Sequence, residues 1–375
     1  MRLLTIVFSN HCDLDCAYCC VQSKNLSPVN ADFKQIKEFI DQYVEDDSCI
    51  EFYGGEPTLH KDLIKEILDY IDSLDVNLYT RLYTNGMFKD WTDEEIVSVS
   101  NRISETLISL DGFTFEENKQ RFETEDEFNQ VMKNIKTVLT TSTFLGISTV
   151  LYGRAKFENM FNNYKLFRSI GVNYFSYEPL TIYNDNKPVV IPKEFFKEFL
   201  IQINRIYQDS IENYPDNTYL FVAKELLSSK WFNQGERTQC SKMVRAISPR
   251  GNIYMCRDHA ANEEELFYSP KIIQFLNKNN FKNDNESFPV IEQNENNLTP
   301  CPVKNIQYRD SKVDGSLYWL EDEVQKLFIE PLYRAIQTLD NKRKEAYNDM
   351  LTYSKTVTKY LMKEDANEIF KVSIN

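Results

Sequence analysis

Positive charge is the first shortage of this chain: 43 lysines and arginines stand against 57 aspartates and glutamates, for a net charge of -14. A phosphate backbone is bound by a basic surface, so general nucleic-acid binding is disfavoured. No apolar run approaches the length of a membrane span. The opening residues 1–8 are too short for a signal h-region and lead straight into a cysteine-bearing loop. Internal repeats and low-complexity tracts are not evident. Eight cysteines are present, yet their clustered spacing and the absent secretory signal favour a reducing cytoplasm over a disulfide framework. At 375 residues the chain can bury one large core and carry an appendage. The acidic balance would suit a basic peptide partner, and a merely soluble surface explains it equally well.

The first 180 residues alternate short apolar strands with helical patterns, the mark of βα units and a parallel sheet. Strands are predicted near 2–8, 49–53, 76–83, 103–110, 145–152 and 172–179, with helices near 30–44, 60–74, 92–100, 124–140 and 155–169. Leu63, Ile64, Ile67, Leu68 and Ile71 recur at helical spacing and give one buried face. Asn30 reads as the start signal of the first helix. Six strands rather than eight predict an α/β fold with a partial (β/α)6 TIM-like barrel, open enough to admit a bulky substrate. Residues 181–191 read as a linker, and 195–214 as a helix with Phe196, Phe199, Leu200, Ile203, Ile206 and Tyr207 on one side. An exposed excursion is expected over 276–298, and two amphipathic helices over 317–363, whose Tyr318, Trp319, Phe328 and Tyr333 read as core.

The chemistry-bearing stretch is Cys12-Asp-Leu-Asp-Cys16-Ala-Tyr18-Cys19, a C-x3-C-x2-C triad straight after the first strand. Three thiolates can hold three irons of a four-iron cluster and leave the fourth open to a cofactor. Zinc sites usually pair two C-x2-C-like knuckles or add histidines at fixed spacing, and neither is found nearby. Downstream come Gly54-Gly55-Glu56-Pro57, Thr84-Asn85-Gly86 and Ser109-Leu110-Asp111-Gly112, each at the C-terminal end of a predicted strand. In a β/α barrel those strand ends share one face, so the four motifs converge on one mouth. Cys20 and Cys49 read as small buried hydrophobes. Cys49 opens the second strand and so lies at the end of the barrel opposite the mouth. His11 reads either as a cluster shield or as a surface-loop residue, and His60 as a helix cap or a surface residue.

The triad and the order of these motifs resemble the radical S-adenosylmethionine superfamily, strongly over residues 1–180. The resemblance implies a 4Fe–4S cluster on Cys12, Cys16 and Cys19, with Tyr18 at the aromatic position before the last ligand. It places Gly54, Gly55, Glu56 and Pro57 at the methionine amine of S-adenosylmethionine, the glycines permitting close backbone approach. Thr84, Asn85, Ser109 and Asp111 fall near the ribose or the methionine carboxylate. Arg121 matches an arginine that follows the Ser-Leu-Asp-Gly motif in peptide-modifying relatives, and reads either as the partner of a carboxylate or as a surface arginine.

A second set is Cys240, Cys256 and Cys301. Pro249 to Gly251 reads as a hairpin turn between strands at 246–248 and 252–255, which folds Cys240 and Cys256 towards each other. The pattern partially resembles the auxiliary-cluster domain called SPASM in its full form and twitch in its short form, over residues 235–305. The full domain has seven cysteines; three are found here. The implied division is a radical barrel over 1–185, a helical linker over 186–232, an auxiliary-cluster domain over 233–310 and closing helices over 311–375.

One auxiliary iron–sulfur cluster is expected, its fourth ligand being His259, Asp258, a substrate group or solvent. Structural thiols without a cluster, and a Cys3His zinc site using His259, stay open as alternatives. Asp258, two residues after Cys256, is a candidate base for the proton released on oxidation.

The resemblance implies an enzyme whose 5'-deoxyadenosyl radical abstracts hydrogen from a ribosomally made peptide, oxidising or crosslinking it. A one-electron reductant such as flavodoxin or ferredoxin is the implied partner. Sulfatase maturation fits less well, because the second auxiliary cluster of that group has no ligands here. A small-molecule radical dehydrogenase and a non-enzymatic metal-binding interaction protein are the competing readings. No leader-binding domain is expected ahead of the barrel, so a peptide leader would bind elsewhere or through a partner protein.

Overall fold

The computed structural model describes residues 2–19, 21, 29–179, 193–213, 219–221, 244–254, 257–261 and 341. The elements follow in the order β1 (Leu3–Val7), α1 (Phe33–Tyr43), β2 (Ser48–Tyr53), α2 (Lys61–Asp72), β3 (Leu78–Thr84), α3 (Asp93–Ser100) and β4 (Glu105–Ser109). Next come the short α4 (Phe115–Asn118), α5 (Glu125–Val138), β5 (Phe144–Leu151), α6 (Arg154–Ser169), β6 (Tyr174–Pro179) and α7 (Lys193–Glu212). The last are β7 (Tyr219–Phe221), β8 (Val244–Ile247), β9 (Ile253–Tyr254) and α8 (Arg257–Ala261). All the described strands form one sheet in the order β7-β6-β5-β4-β3-β2-β1-β8-β9. Every pairing is parallel except β8 with β9. The six strands expected from the sequence are therefore the centre of a larger sheet. It is lengthened at one edge by β7 and at the other by the hairpin, which pairs with β1 through Leu3–Val244 to Ile6–Ile247. The sheet remains open, as the strand count predicted.

Local chemistry accounts for the helix boundaries. Thr92 with Glu95 and Thr124 with Glu127 form reciprocal capping boxes at the starts of α3 and α5. The first helix starts differently from the sequence expectation. Asp32, not Asn30, accepts from Gln35 N and caps α1, while Asn30 pairs with Ser9 in an isolated bridge. Each helix turns its apolar stripe onto the sheet, as Ile64, Ile67, Leu68 and Ile71 of α2 do. They join Leu4, Ile6, Phe8, Ile50, Phe52, Leu82, Ile108, Ile147 and Phe175 in one core between sheet and helices. In α7, Phe199, Ile203 and Ile206 of the expected face are buried. No described helix is long and apolar enough to cross a membrane.

Side chains alternate across a strand, so the other set faces the concave side. There Glu51 is fully buried, accepts from Thr5 Oγ1 at 3.0 Å, and lies 3.6 Å from Arg81 Nη1. Arg81 Nε donates to Glu105 at 2.6 Å, and the Tyr79 and Tyr174 hydroxyls also donate to Glu105. A ladder of alternating charge thus fills the barrel floor, and buried charges persist only when paired in this way.

The hairpin turns at 249–251 as expected, with Ser248 N donating to Asn252 O at 2.8 Å, but its strands are β8 and β9 rather than 246–248 and 252–255. Met255, the 181–191 linker, the 276–298 excursion and the 317–363 helices lie outside the described residues, apart from position 341.

Candidate active site

The C-terminal ends of β1, β2, β3 and β4 bring the four sequence motifs to one mouth, as the barrel geometry requires. After β1 the chain enters the cysteine loop. The Gly54–Pro57 turn lies directly on that loop's backbone: Gly55 N donates to Ser9 O and Glu56 N to His11 O, both at 2.9 Å. A Cβ on Gly54 would stand 2.7 Å from Ser9 O, and one on Gly55 only 2.0 Å from His11 O. Both glycines are therefore demanded by contact between the two loops, whatever the cofactor requires. Gly54 also has φ +138, a backbone open to glycine.

Glu56 ties the second turn to the third. Its carboxylate is buried and accepts from Thr58 N at 3.0 Å, Thr58 Oγ1 and Thr84 Oγ1 at 2.7 Å each, and Asn85 N at 2.7 Å. Burial pushes its pKa up to about 7, opposed by the bonds from Asn85 and Thr58. Asn85 in turn donates to Asp13 Oδ1 at 2.6 Å and approaches Cys12 Sγ at 3.8 Å. Leu14 N donates to the same sulfur at 3.4 Å.

The fourth motif grips the loop from the opposite side. The Tyr18 hydroxyl donates to Asp111 Oδ2, Arg121 Nη2 pairs with Asp111 Oδ1 at 3.1 Å, and Val150 N donates to Oδ1 at 3.2 Å. The Arg121 guanidinium lies 5.2 Å from the Tyr18 ring centroid and directs Nη1 at Cys16 Sγ, 3.9 Å away. Ala17 N bonds to Gln120 O at 2.9 Å. The carboxylate that Arg121 engages here is the protein's own Asp111.

Burial pushes the Cys12 thiol up to about 12, with the Glu56 charge adding to the effect. The Cys16 thiol is also raised by burial, and the Arg121 charge pulls it back. Cys12, Cys16 and Cys19 are half-buried thiols. Cys19 Sγ is turned to Val21 O at 3.4 Å, and among the described residues no group of three Cys, His, Asp or Glu side chains stands ready-made around a metal ion. The donor set nonetheless fits a thiolate-held cluster. Three thiols share one loop, N–H groups already address two of their sulfurs, and a buried guanidinium Nε has no hydrogen-bond partner among the described residues. Cys49 is buried near the start of β2, away from the mouth, as predicted.

His60 stands at the expected cap position, at the start of α2, but does not cap through its side chain. Its Nε2 lies 3.0 Å from Ser9 Oγ, so it buttresses the cysteine loop. Burial lowers its pKa, helped by His11. The His11 side chain is exposed, while its carbonyl anchors Glu56.

Cys20, Cys240, Cys256 and Cys301 lie outside the described residues, and so does the side chain of His259. Asp258 is described: the Tyr53 hydroxyl donates to its Oδ1 at 3.4 Å, and Arg257 Nε lies 3.7 Å away. Its neighbour Arg257 was not singled out by the sequence. Arg257 reaches from α8 into the barrel, bonds Glu51 at 3.2 and 3.3 Å, and packs over Tyr53 and Tyr83 at 4.9 and 5.0 Å. Alternation of Cys49, Glu51 and Tyr53, and of Tyr79, Arg81 and Tyr83, was the one signal for this inner wall. Ser109, Ser148 and Ser176 stand in register on β4, β5 and β6, half-buried on the same wall.

Comparison with known proteins agrees with this geometry. Residues 6–154 match the family model described as the Radical SAM superfamily. An uncharacterized protein of Methanocaldococcus jannaschii is 24% identical over 266 residues, 68% of this chain and 85% of that protein. Among solved structures, anSMEcpe with bound AdoMet superposes with a TM-score of 0.63 at 16% identity, covering 93% of this chain and 98% of that one. Streptococcus suis SuiB bound to precursor peptide SuiA superposes with a TM-score of 0.52 at 17% identity, covering 70% and 61%. The stretch that matches the Radical SAM superfamily, residues 6–154, is thus the one that carries the cysteine loop and the three turns gathered around it.

Proposed function

We propose that the barrel cleaves S-adenosylmethionine reductively and uses the 5'-deoxyadenosyl radical to take a hydrogen atom from a peptide, leading to its oxidation or crosslinking. One observation carries this reading: the three-thiol loop is clamped between the Gly54–Pro57 turn, Asn85 and the Asp111–Arg121 pair at a single mouth. A 4Fe–4S cluster on Cys12, Cys16 and Cys19 would supply the electron that breaks the cofactor's carbon–sulfur bond. The protein's part is to hold and orient. Gly54, Gly55, Glu56 and Pro57 form the seat for the methionine amine, with the Glu56 carboxylate locking that seat to Thr84 and Asn85. Ser109 faces the interior where the ribose would lie, and Tyr18 and Asp111 fix the loop from the far side.

The peptide assignment draws on the inner wall and on the fold. The wall is polar and half-open at Tyr53, Tyr83, Ser109, Ser148 and Arg257, and the two structural relatives include one solved with a precursor peptide. Cys240, Cys256 and Cys301 would hold an auxiliary iron–sulfur cluster that takes the second electron, with Asp258 as the base for the accompanying proton. A cytoplasmic flavodoxin or ferredoxin would deliver the first. The test is anaerobic co-expression with the peptide of the neighbouring short open reading frame, read by intact mass. Loss of hydrogen atoms, absent with Cys16→Ala, supports the proposal. An unchanged mass with no deuterium uptake from heavy water moves the assignment to a small-molecule dehydrogenase.

A further inference from the structure

Arg121 has three sets of guanidinium hydrogens and an incomplete set of acceptors. Its side chain is 8% exposed. Nη2 is taken by Asp111, Nη1 points at Cys16 Sγ, and Nε is buried without a partner among the described residues. Among the described residues the neighbourhood offers Nε nothing further. Asp111 is fully buried and already accepts from Tyr18, Arg121 and Val150 N, while its own N–H donates to Asn118 Oδ1 at 2.8 Å. A buried, charged donor left unmatched is costly, and native structures rarely tolerate one without a reason. The reason nearest to hand is the sulfur group that Cys16 would carry.

Resting on the proposed function, we infer that Arg121 sets the reduction potential of the Cys12–Cys16–Cys19 cluster. It is a positioning and tuning residue that Asp111 and Tyr18 hold against Cys16. Reduction adds one electron, delivered by an external one-electron donor, and makes the thiolate-held cluster one unit more negative. A guanidinium fixed beside a ligand sulfur stabilises that added charge, by Coulomb attraction and by N–H···S bonding, where burial keeps water from screening it. Asp111 opposes this effect because its carboxylate offsets the guanidinium charge. The pair therefore makes two opposite predictions, which loss of packing alone would not produce.

The experiment is an anaerobic redox titration of the iron-reconstituted full chain without S-adenosylmethionine. It follows the electron paramagnetic resonance signal that Cys16→Ala abolishes. Arg121→Gln is expected to move the midpoint to more negative potential, and Asp111→Asn to more positive potential. Arg121→Lys, which keeps the charge without the planar fork, is expected to fall between Arg121→Gln and the wild type. Should Arg121→Gln fail to retain iron, the opposite displacement in Asp111→Asn and the smaller one in Arg121→Lys decide. Unmoved midpoints in the iron-loaded variants, or displacement of both substitutions in the same direction, overturn the inference. A wild type without any Cys16-dependent signal overturns the proposed function and this inference together.

Discussion

Gly55→Ala is the sharpest probe of how the cysteine loop is held. An added Cβ would stand 2.0 Å from His11 O, 2.4 Å from His11 C and 3.0 Å from Asn10 C. All three are backbone atoms, so no side chain can swing aside. Restoring van der Waals contact requires the two loops to part by at least about 1 Å. The bonds Gly55 N to Ser9 O and Glu56 N to His11 O are both 2.9 Å, and a parting of that size breaks both. Each buried bond lost costs about 1–2 kcal/mol, so the expected destabilisation is roughly 2–4 kcal/mol. Gly153→Ala is the control. Gly153 has φ +69 and ψ 156 but nothing within 4 Å of a Cβ, so only backbone strain remains, about 1–3 kcal/mol. Urea unfolding of the iron-free chains measures the difference, and iron bound per chain after reconstitution measures its effect on the loop. The reasoning is refuted if Gly55→Ala is no less stable than Gly153→Ala and binds as much iron as the wild type.

Three further outcomes are expected. Arg81→Met leaves the buried carboxylates of Glu51 and Glu105 without the cation between them, and the urea midpoint should fall by the equivalent of about 3–5 kcal/mol; a neutral substitution would show that the inner charge ladder is not a paired network. His60 has a folded pKa below its unfolded value of 6.5, so the unfolded chain takes up that proton first as pH falls. Stability present above pH 6.5 is therefore lost on acidification below it, and His60→Gln should flatten that part of the curve; parallel curves for the two chains contradict the assignment. Asp258→Asn should leave 5'-deoxyadenosine formation intact while slowing substrate oxidation, and equal loss of both would remove Asp258 from the role of base.

The sequence carried the barrel's frame because its signals were local. Strand, motif and helix follow one another in register, and the strand positions at 3–7, 48–53 and 105–109 lie within a residue or two of expectation. The edges of the sheet were less legible. Nothing near Val244 announces that its strand will lie parallel to β1, more than 230 residues earlier, because that pairing depends on where the chain returns after a long excursion. Charged residues inside strands were hidden for a related reason. Glu51, Arg81 and Glu105 look solvent-facing one at a time, and only their convergence on one concave wall makes them a buried network. At the mouth, the sequence identified the four motifs but not what they do to one another. Gly54 and Gly55 read as room for a cofactor, whereas their nearest neighbours are the backbone atoms of residues 8–11. Arg121 read as the partner of an unspecified carboxylate or as a surface residue, and the structure gives it Asp111 on one side and Cys16 on the other.

The central claim is that the Cys12–Cys16–Cys19 loop supports reductive cleavage of S-adenosylmethionine. Anaerobic incubation of the iron-reconstituted chain with dithionite and S-adenosylmethionine tests it without knowledge of the peptide. The account predicts release of 5'-deoxyadenosine and methionine by the wild type and none by Cys16→Ala. An iron-loaded wild type that releases no 5'-deoxyadenosine, or a Cys16→Ala chain that releases as much, would contradict it.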